Sequence, residues 1–269
     1  WVSHVEGDSL KALILRDTIC TGGAITSLLM GEQPNDFDIY FKTKETTRAV
    51  AQYYVKQWDD PNVKLLDQND RIKIVVQSSG IVGKTPINDS TEPEEQFVKD
   101  VAKEKTEAES KPKYRPVFLT ANAITLSDKI QIIIRFFGSV EEIHENYDFI
   151  HCTCSWQSET GELRLPNAAL ISLINRRLKY KSSKYPLCSI IRTRKFLKRG
   201  WHIDAGQYLK MAWDLNRLDL TDMAVLEDQL TGVDSAYFYE VIRLLEEGKK
   251  AGKEIDSTYL MEVVDKIFG

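Results

Sequence analysis

The sequence contains no apolar run that approaches the length of a membrane span. The N-terminal residues, Trp1 to Glu6, do not form a basic and apolar signal sequence, which argues against secretion. There is no initiating Met, so we expect a trimmed or processed chain, and a removed leader stays open as an alternative. The four cysteines lack the spacing of a disulfide framework and so favour a reducing compartment, the cytoplasm: Cys20, Cys152, Cys154 and Cys188.

Net charge gives little indication of a nucleic-acid partner, whereas the distribution of charge does. The chain has 36 basic and 40 acidic residues, a net charge of −4. The stretch 176–199 nevertheless carries basic residues and no acid. A basic block in an acidic protein predicts a local site for a polyanion, with a solvated helix face as the alternative. Its members are Arg176, Arg177, Lys179, Lys181, Lys184, Arg192, Arg194, Lys195, Lys198 and Arg199.

Two carboxylates alternate along a short apolar strand. Residues two apart on a strand point to the same face, so Asp36 and Asp38 should lie side by side, about 7 Å apart. Such a pair repels unless a cation lies between its members, and Mg²⁺ prefers oxygen ligands of this kind. Phe37, Ile39 and Phe41 should then point the other way, into a core.

A glycine pair precedes the carboxylates. Gly22-Gly23 can bring backbone N–H groups close to a phosphate, with the N-terminus of a short helix behind them. Ser27, on that helix, is a further candidate for contact with phosphate. The alternative is a capped surface turn, followed by an edge strand that carries two solvated aspartates.

Gly-Gly, a short helix and Asp-x-Asp on a strand resemble the signature of the DNA polymerase β-like nucleotidyltransferase superfamily. That superfamily includes poly(A) polymerases, CCA-adding enzymes, and antibiotic or toxin nucleotidyltransferases. The resemblance implies transfer of a nucleoside monophosphate from an NTP to an acceptor hydroxyl, with release of pyrophosphate. It also implies two Mg²⁺ ions held by Asp36 and Asp38 with a third acid, and an NTP bound by Gly22, Gly23 and Ser27.

Asp148 is the predicted third acid. It opens an apolar segment, residues 147–156, that we expect to form a strand beside the Asp36 strand. Tyr147-Asp148-Phe149 also resembles the Arg-Asp-Phe-Thr segment of CCA-adding enzymes and bacterial poly(A) polymerases, although only Asp-Phe is kept. The alternative is a structural aspartate that caps the preceding turn.

A third resemblance to those enzymes lies at residues 192–203, a basic helix followed by Gly, an aromatic residue and an aliphatic one. Arg192, Lys195 and Arg199 share a helix face that could bind a triphosphate or an RNA backbone. Cations before a C-cap such as Gly200 also stabilise any helix, which is the alternative. No Glu-Asp-x-x-Arg element precedes this helix, so CCA addition itself is not predicted.

The predicted fold is α+β: a mixed-sheet nucleotidyltransferase catalytic domain, residues 1–165, followed by an all-helical domain, residues 166–269. A charged stretch, residues 83–116, should be a mobile insertion in the first domain, with a charged helical lid as the alternative. Predicted helices are 8–20, 45–58, 140–145, 168–178, 188–198, 205–216, 225–230, 236–247 and 258–268. Besides the Asp36 strand, predicted strands are 63–67 paired with 71–77, 117–125 paired with 130–137, and 147–156.

The favoured function is Mg²⁺-dependent nucleotide transfer, with an RNA 3′ end such as that of tRNA as acceptor. One alternative is transfer to a protein or a small molecule. Another is a non-catalytic structural protein, since the arrangement also resembles nucleotidyltransferase-like proteins encoded by bacteriophages. His151-Cys152-Thr153-Cys154 is compatible with zinc, but buried packing is favoured there. No oligomeric state is predicted.

Overall fold

The computed structural model describes residues 1–68, 71–75, 81–82, 112–220, 222–230, 243–245, 247–254 and 256–268. These residues fall into two compact units, one with the described residues through Asn175 and one with those from Arg176 onward. The fold is α+β, with a mixed sheet in the first unit and mainly helices in the second. No helix of the described part is long and apolar enough to span a membrane.

Strands and helices alternate through the first unit. Its strands are β1 (Thr18–Thr21), β2 (Phe37–Phe41), β3 (Lys64–Gln68), β4 (Arg71–Val75), β5 (Ile81–Val82), β6 (Pro116–Thr120), β7 (Ala123–Leu126), β8 (Ile130–Ile133), β9 (Ser155–Gln157) and β10 (Leu163–Arg164). Its helices are α1 (Asp8–Asp17), α2 (Gly23–Leu29), α3 (Lys44–Trp58), α4 (Val140–His144) and α5 (Asn167–Ile174), with 3₁₀ turns at Val2–His4 and Ile150–Thr153.

Eight strands form the main sheet, in the order β10-β9-β1-β2-β8-β7-β6-β5, and β3 with β4 forms a separate hairpin. β1 and β2 are antiparallel, with Thr21 opposite Asp38. β2 and β8 are parallel, with Asp38 opposite Gln131. The Asp-bearing strand is therefore central rather than at an edge, contrary to the alternative of an edge strand with two solvated aspartates.

The two faces of β2 have different partners. Ile39 and Phe41 lie in the main core, where Phe37 packs against them, so the prediction for these three residues is confirmed. That core also contains buried residues of α1 and α3. Tyr40 lies in a smaller cluster on the opposite face with Ile19 of β1 and two residues of α4. Because side chains alternate along a strand, Asp38 belongs to this second face.

The predicted helix 8–20 is too long at its C-terminal end, because Cys20 lies in β1. α1 ends at Asp17, where Thr18 takes extended backbone angles and its hydroxyl donates to the Ile14 carbonyl at 2.7 Å. A side chain that bonds the last turn in this way competes with continuation of the helix. The helix at 45–58 is confirmed as α3, and the predicted strand pair, 63–67 with 71–77, is confirmed over its described residues as the β3–β4 hairpin.

The expected strand 117–125 is in fact two strands, β6 and β7. The Thr120 hydroxyl accepts hydrogen bonds from the backbone N–H groups of Asn122 and Ala123, at 3.2 and 2.9 Å. These bonds close a turn inside a segment whose β-propensity is high throughout. β7 then pairs with β8, so the expected hairpin partner, 130–137, is present in shorter form.

The expected strand 147–156 is wrong over most of its length. Asp148 lies in a bend, a 3₁₀ turn follows, and only the last residues belong to β9. The turn is held by the Thr153 hydroxyl, which donates to the Ile150 carbonyl at 2.7 Å. The apolar alternation of this segment therefore reflects burial in a turn rather than a strand.

In its described residues, the second unit consists mainly of helices and has one short parallel pair of strands. Four of its helices have described bounds, α6 (Pro186–Lys198), α7 (Ala205–Leu215), α8 (Met223–Leu230) and α9 (Ser257–Phe268), and residues 243–245 and 247–250 are also helical. Its strands are β11 (Arg177–Leu178) and β12 (His202–Ile203). β11 corrects the expected helix 168–178, which ends as α5 at Ile174. Gly200, with φ of 77°, follows α6 as expected of a C-cap glycine.

Parts of two predictions lie outside the described residues. The charged insertion was predicted at 83–116, and its residues 83–111 are among those that the structure does not describe. Most of the predicted helix 236–247 is also outside the described residues.

A buried carboxylate joins α1 to α3. Asp17, with 2% of its surface exposed, accepts hydrogen bonds from the Arg16 guanidinium and from the hydroxyls of Thr43 and Thr46. The Arg16 hydrogen bond, opposed by burial and helped by the two threonines, lowers the pKa of Asp17 from 3.8 to about 2. The charged form is thus the one that the fold stabilises.

Replacement of Asp17 by Asn should destabilise the protein by about 2 kcal/mol at neutral pH. Because the pKa is lowered on folding, this stabilisation is fully present above the unfolded value of 3.8 and is lost as pH falls toward 2. Denaturant unfolding of wild type and Asp17→Asn at pH 7 and pH 3 should therefore show a smaller difference at pH 3. Asp8→Asn, at an exposed position of α1, is the control. An equal difference at both pH values would contradict this role.

Candidate active site

The two aspartates lie where β2 begins. Asp36 immediately precedes the strand and Asp38 is its second residue; both are partly exposed. The ladder with β8 starts close by, since the backbone N–H of Phe37 donates to the Lys129 carbonyl at 2.7 Å. Asp38 is therefore carried by a paired, internal strand, whereas Asp36 lies just before that strand rather than on it as predicted.

The glycine turn approaches Asp38 closely. Gly22 has φ of 94° and ψ of −151°, in a region that favours glycine. A Cβ atom at this position would lie 3.0 Å from Asp38 Oδ2 and 3.4 Å from the Tyr147 hydroxyl oxygen. At Gly23 a Cβ would meet nothing within 4 Å. Position 22 thus requires glycine, both because of its positive φ and because a Cβ would contact Asp38. Neither reason applies at position 23.

The remaining turn residues give weaker support to the phosphate prediction. α2 has 7 residues, too few for its N-terminus to count as an anion site by itself. Ser27, on α2, has only 5% of its surface exposed. Contact between Ser27 and a phosphate stays a prediction, and the Gly22 backbone is the better candidate.

A buried hydrogen-bonded group supports the turn from the side of β9. The Thr21 hydroxyl donates to the Cys154 carbonyl at 2.7 Å and also lies 2.8 Å from His144 Nε2. Since the single hydroxyl proton goes to Cys154, His144 must donate from Nε2. The Thr26 hydroxyl donates to the His151 carbonyl at 2.9 Å, which ties α2 to the 3₁₀ turn.

Tyr147 fills the space between this group and Asp38. Its ring lies 4.9 Å from that of His144 and 6.2 Å from that of Tyr40, centre to centre. Burial above all, then the neighbouring Tyr40 and Asp38, raises the pKa of the Tyr147 hydroxyl well above its ordinary value. Burial and the charge of Asp38 likewise raise the pKa of the Cys20 thiol to about 12. Both groups are therefore neutral near pH 7.

The structure does not place Asp148 on a strand beside β2. The neighbours of β2 are β1 and β8, and β9 lies on the far side of β1. Asp148 is buried, with 5% of its surface exposed, and its Oδ1 accepts the Phe149 N–H at 2.9 Å. The expected pairing is therefore wrong, while the role of Asp148 as an acid stays a prediction. On β8 the residue that lies beside Asp38 is Gln131, and no motif in the sequence indicates it, because this pairing joins distant segments.

The donor set fits Mg²⁺ without a complete protein cage. Among the described residues, no group of three or more His, Cys, Asp or Glu side chains is arranged to hold a metal ion. Mg²⁺ commonly uses one or two carboxylates together with substrate phosphates and water. Asp36 and Asp38 are both partly exposed, and the backbone of Gly22 lies close to Asp38, so these two carboxylates fit that requirement.

Two other predicted sites can be located. In the second unit Arg192 is half-buried, with Nη2 at 3.2 Å from the Cys188 sulfur, whereas Lys195 and Arg199 are exposed. Cys152 and Cys154, like Cys20 and Cys188, form no disulfide, and Cys152 Sγ lies 3.3 Å from His151 Nε2. These contacts form no zinc site in the described part of the chain.

Comparison with known proteins places the first unit in a family. The model of a family described as "Gabija anti-defense 2 family protein" matches residues 1–176. The chain belongs to this family. A curated relative, "Gabija anti-defense 2" of Bacillus phage SPbetaL7, is 22% identical over 267 residues, which are 98% of this chain and 52% of the relative. The chain therefore spans about half the length of that family member.

This chain is also similar to solved structures of CCA-adding enzymes, with lower sequence identity than to the phage relative. The Thermotoga maritima CCA-adding enzyme complexed with tRNA is 12% identical, with a TM-score of 0.44, over 100% of this chain and 68% of the enzyme. The Bacillus stearothermophilus enzyme in complex with CTP is 12% identical, with a TM-score of 0.40, over 97% of this chain and 55% of the enzyme. At this distance the similarity does not identify the reaction.

The two glycines offer a sharp comparison. Gly22→Ala should abolish any function of the site, because the new methyl would lie 3.0 Å from Asp38 Oδ2 on a backbone with φ of 94°. Gly23→Ala should be tolerated, since its methyl meets open space. Binding of Mg-NTP and thermal melting of both variants would test this. Equal loss in the two, or none in either, would contradict the role of the Gly22–Asp38 approach.

Proposed function

We propose that this protein is a Mg²⁺-dependent nucleotidyltransferase, by which a bacteriophage counters the Gabija defence of its host. The observation that carries the reaction is the approach of the Gly22 turn to Asp38, where a Cβ would lie 3.0 Å from Oδ2. A phosphate-binding turn and a metal-binding carboxylate at one point are the requirements of phosphoryl transfer. The family name and the phage source of the relative support the biological context.

Each group has a defined part in the proposed reaction. Asp36 and Asp38 would hold Mg²⁺, which when bound supplies positive charge against the triphosphate. The backbone N–H groups of Gly22 and Gly23 would orient phosphate oxygens. The acceptor hydroxyl would attack the α-phosphate, form the new P–O bond and give its proton to water, while the bond to the pyrophosphate oxygen breaks and pyrophosphate leaves with the electron pair. Two ions and Asp148 as a third acid remain part of the proposal. Catalysis comes from positioning and from neutralised charge.

An RNA 3′ end is the favoured acceptor. The support is the basic stretch of the second unit, in which most of the side chains are exposed, among them Lys195, Lys198 and Arg199. Arg and Lys side chains bind phosphate oxygens of an RNA backbone, and such binding falls as salt rises.

A protein of the host defence is the second candidate acceptor. The family name supports it, because a protein named for opposing Gabija could act by modifying one of that system's components. Transfer to a protein hydroxyl needs the same catalytic groups and differs only in the acceptor. Whether RNA or protein receives the transferred nucleotide distinguishes the two candidates.

Transfer of ³²P from each α-labelled NTP, with Mg²⁺, to total RNA and to total protein tests the reaction. Wild type should label one acceptor class, and Asp36→Asn or Asp38→Asn should reduce labelling by at least about a hundredfold, since a charge that holds the metal is removed. Asp8→Asn, an exposed aspartate of α1, should retain full activity.

The outcomes separate the candidates. Labelled RNA supports the terminal transferase, and labelled protein supports modification of a defence component. If neither is labelled and wild type binds no Mg-NTP, the protein is a non-catalytic binding protein and the proposal is wrong. Full activity in Asp36→Asn or Asp38→Asn would mean that the proposed metal site is wrong.

The acceptor surface can be tested separately. Lys195→Ala with Arg199→Ala should weaken RNA binding by roughly tenfold at low salt and flatten its salt dependence, because two phosphate contacts are lost. Filter binding of labelled tRNA at several salt concentrations would measure both effects. Lys210→Ala with Lys249→Ala, also at exposed positions, removes the same number of charges elsewhere. An equal effect of the two pairs would show that only net charge matters.

A further inference from the structure

A straight row of polar side chains crosses the centre of the main sheet. The pairing of five adjacent strands sets one residue of each opposite the next. Residues opposite one another in a sheet lie on the same face with Cβ atoms about 5 Å apart. The row, which we call the Asp38 row, is Ser155, Thr21, Asp38, Gln131 and Thr125.

The neighbouring row on the same face is apolar and covered. Ile19 and Tyr40 are buried there with Val140 and Ile143 of α4, and Ile133 packs against them. Since side chains on one face recur every second residue, this row lies directly beside the Asp38 row. The helix therefore covers the apolar row, and the polarity of the Asp38 row needs another explanation than packing against α4.

The Asp38 row is closed at one end and open at the other. Ser155 and Thr21 have no exposed surface. Asp38, Gln131 and Thr125 are partly exposed. A ligand bound at the Asp38 carboxylate can therefore extend along the row only toward Gln131. Gln131 is the first side chain that it would meet in that direction.

Gln131 differs chemically from the aspartates. Its carboxamide is neutral and offers two N–H donors beside one carbonyl acceptor. Phosphate oxygens are acceptors, so the amide can donate to them where a carboxylate would repel them. A third carboxylate at this position would add like charge about 5 Å from Asp38.

We propose that Gln131 is a nucleotide-binding residue, whose side-chain N–H donates to a phosphate oxygen of the NTP held at Asp38. This inference rests on the proposed nucleotidyltransferase function and names the contact that the sequence motifs do not contain. It assigns β8, together with β2 and the glycine turn, to the nucleotide site.

Equilibrium binding of each of the four NTPs, with Mg²⁺ and without acceptor, tests the contact. Gln131→Ala should weaken the binding of the preferred NTP by roughly tenfold, because one hydrogen bond to a charged group is lost. Gln131→Glu should weaken it further, because it keeps the length of the side chain but removes the donor and adds negative charge. Gln57→Ala, at an exposed position of α3, should bind like wild type. Thermal melting of each variant establishes that it is folded.

Four results would overturn the inference. Wild-type affinity in folded Gln131→Ala means that the amide makes no contact. Unchanged or tighter binding in Gln131→Glu, with a lower Mg²⁺ requirement, means that this position holds metal rather than phosphate. Absence of Mg-NTP binding in wild type removes the proposed function and the inference together. By contrast, loss of binding in Asp38→Asn but not in the Gln131 variants leaves the proposed function intact and removes the inference alone.

Discussion

The antiparallel register of β1 and β2 is the constraint on which the site depends. Because Thr21 lies opposite Asp38, the chain leaves β1 at the level of the carboxylate, and the next residue, Gly22, must turn directly beside it. A slip of one residue would exchange the two faces of β2, so that Ile39 and Phe41 would leave the main core. The apolar residues of β2 thus fix the position of its aspartate, and stability and function are coupled through a single strand.

The local part of this arrangement is predictable from the sequence. The turn at Gly22-Gly23 and the strand around Asp38 each depend on residues that are close in sequence. At this range, glycine predicts a turn and alternating apolar residues predict a strand. α3 and the β3–β4 hairpin are predicted for the same reason. The close approach of Gly22 to Asp38 Oδ2 brings the two parts of that motif together, which the sequence did not predict.

The non-local part could not be predicted. Which strand lies beside β2 depends on pairing between distant segments, and the alternation that suggested a strand at Asp148 continues into a 3₁₀ turn. Gln131 has no feature in the sequence that distinguishes it from a surface residue of β8. Its position beside Asp38 comes from a parallel pairing, which no short motif encodes.

Distant pairing also determines the order in which the site can form. The Thr21 hydroxyl bonds to the Cys154 carbonyl, 133 residues away, and β2 pairs with β8 from beyond residue 129. A growing chain released from the ribosome only as far as residue 120 contains both glycines and both aspartates, but neither β8 nor β9. Contacts of such long range also slow folding, because closing the long loop costs entropy first. A shortened gene product that keeps the glycine pair and both aspartates would therefore contain the motif residues without the strands that position them.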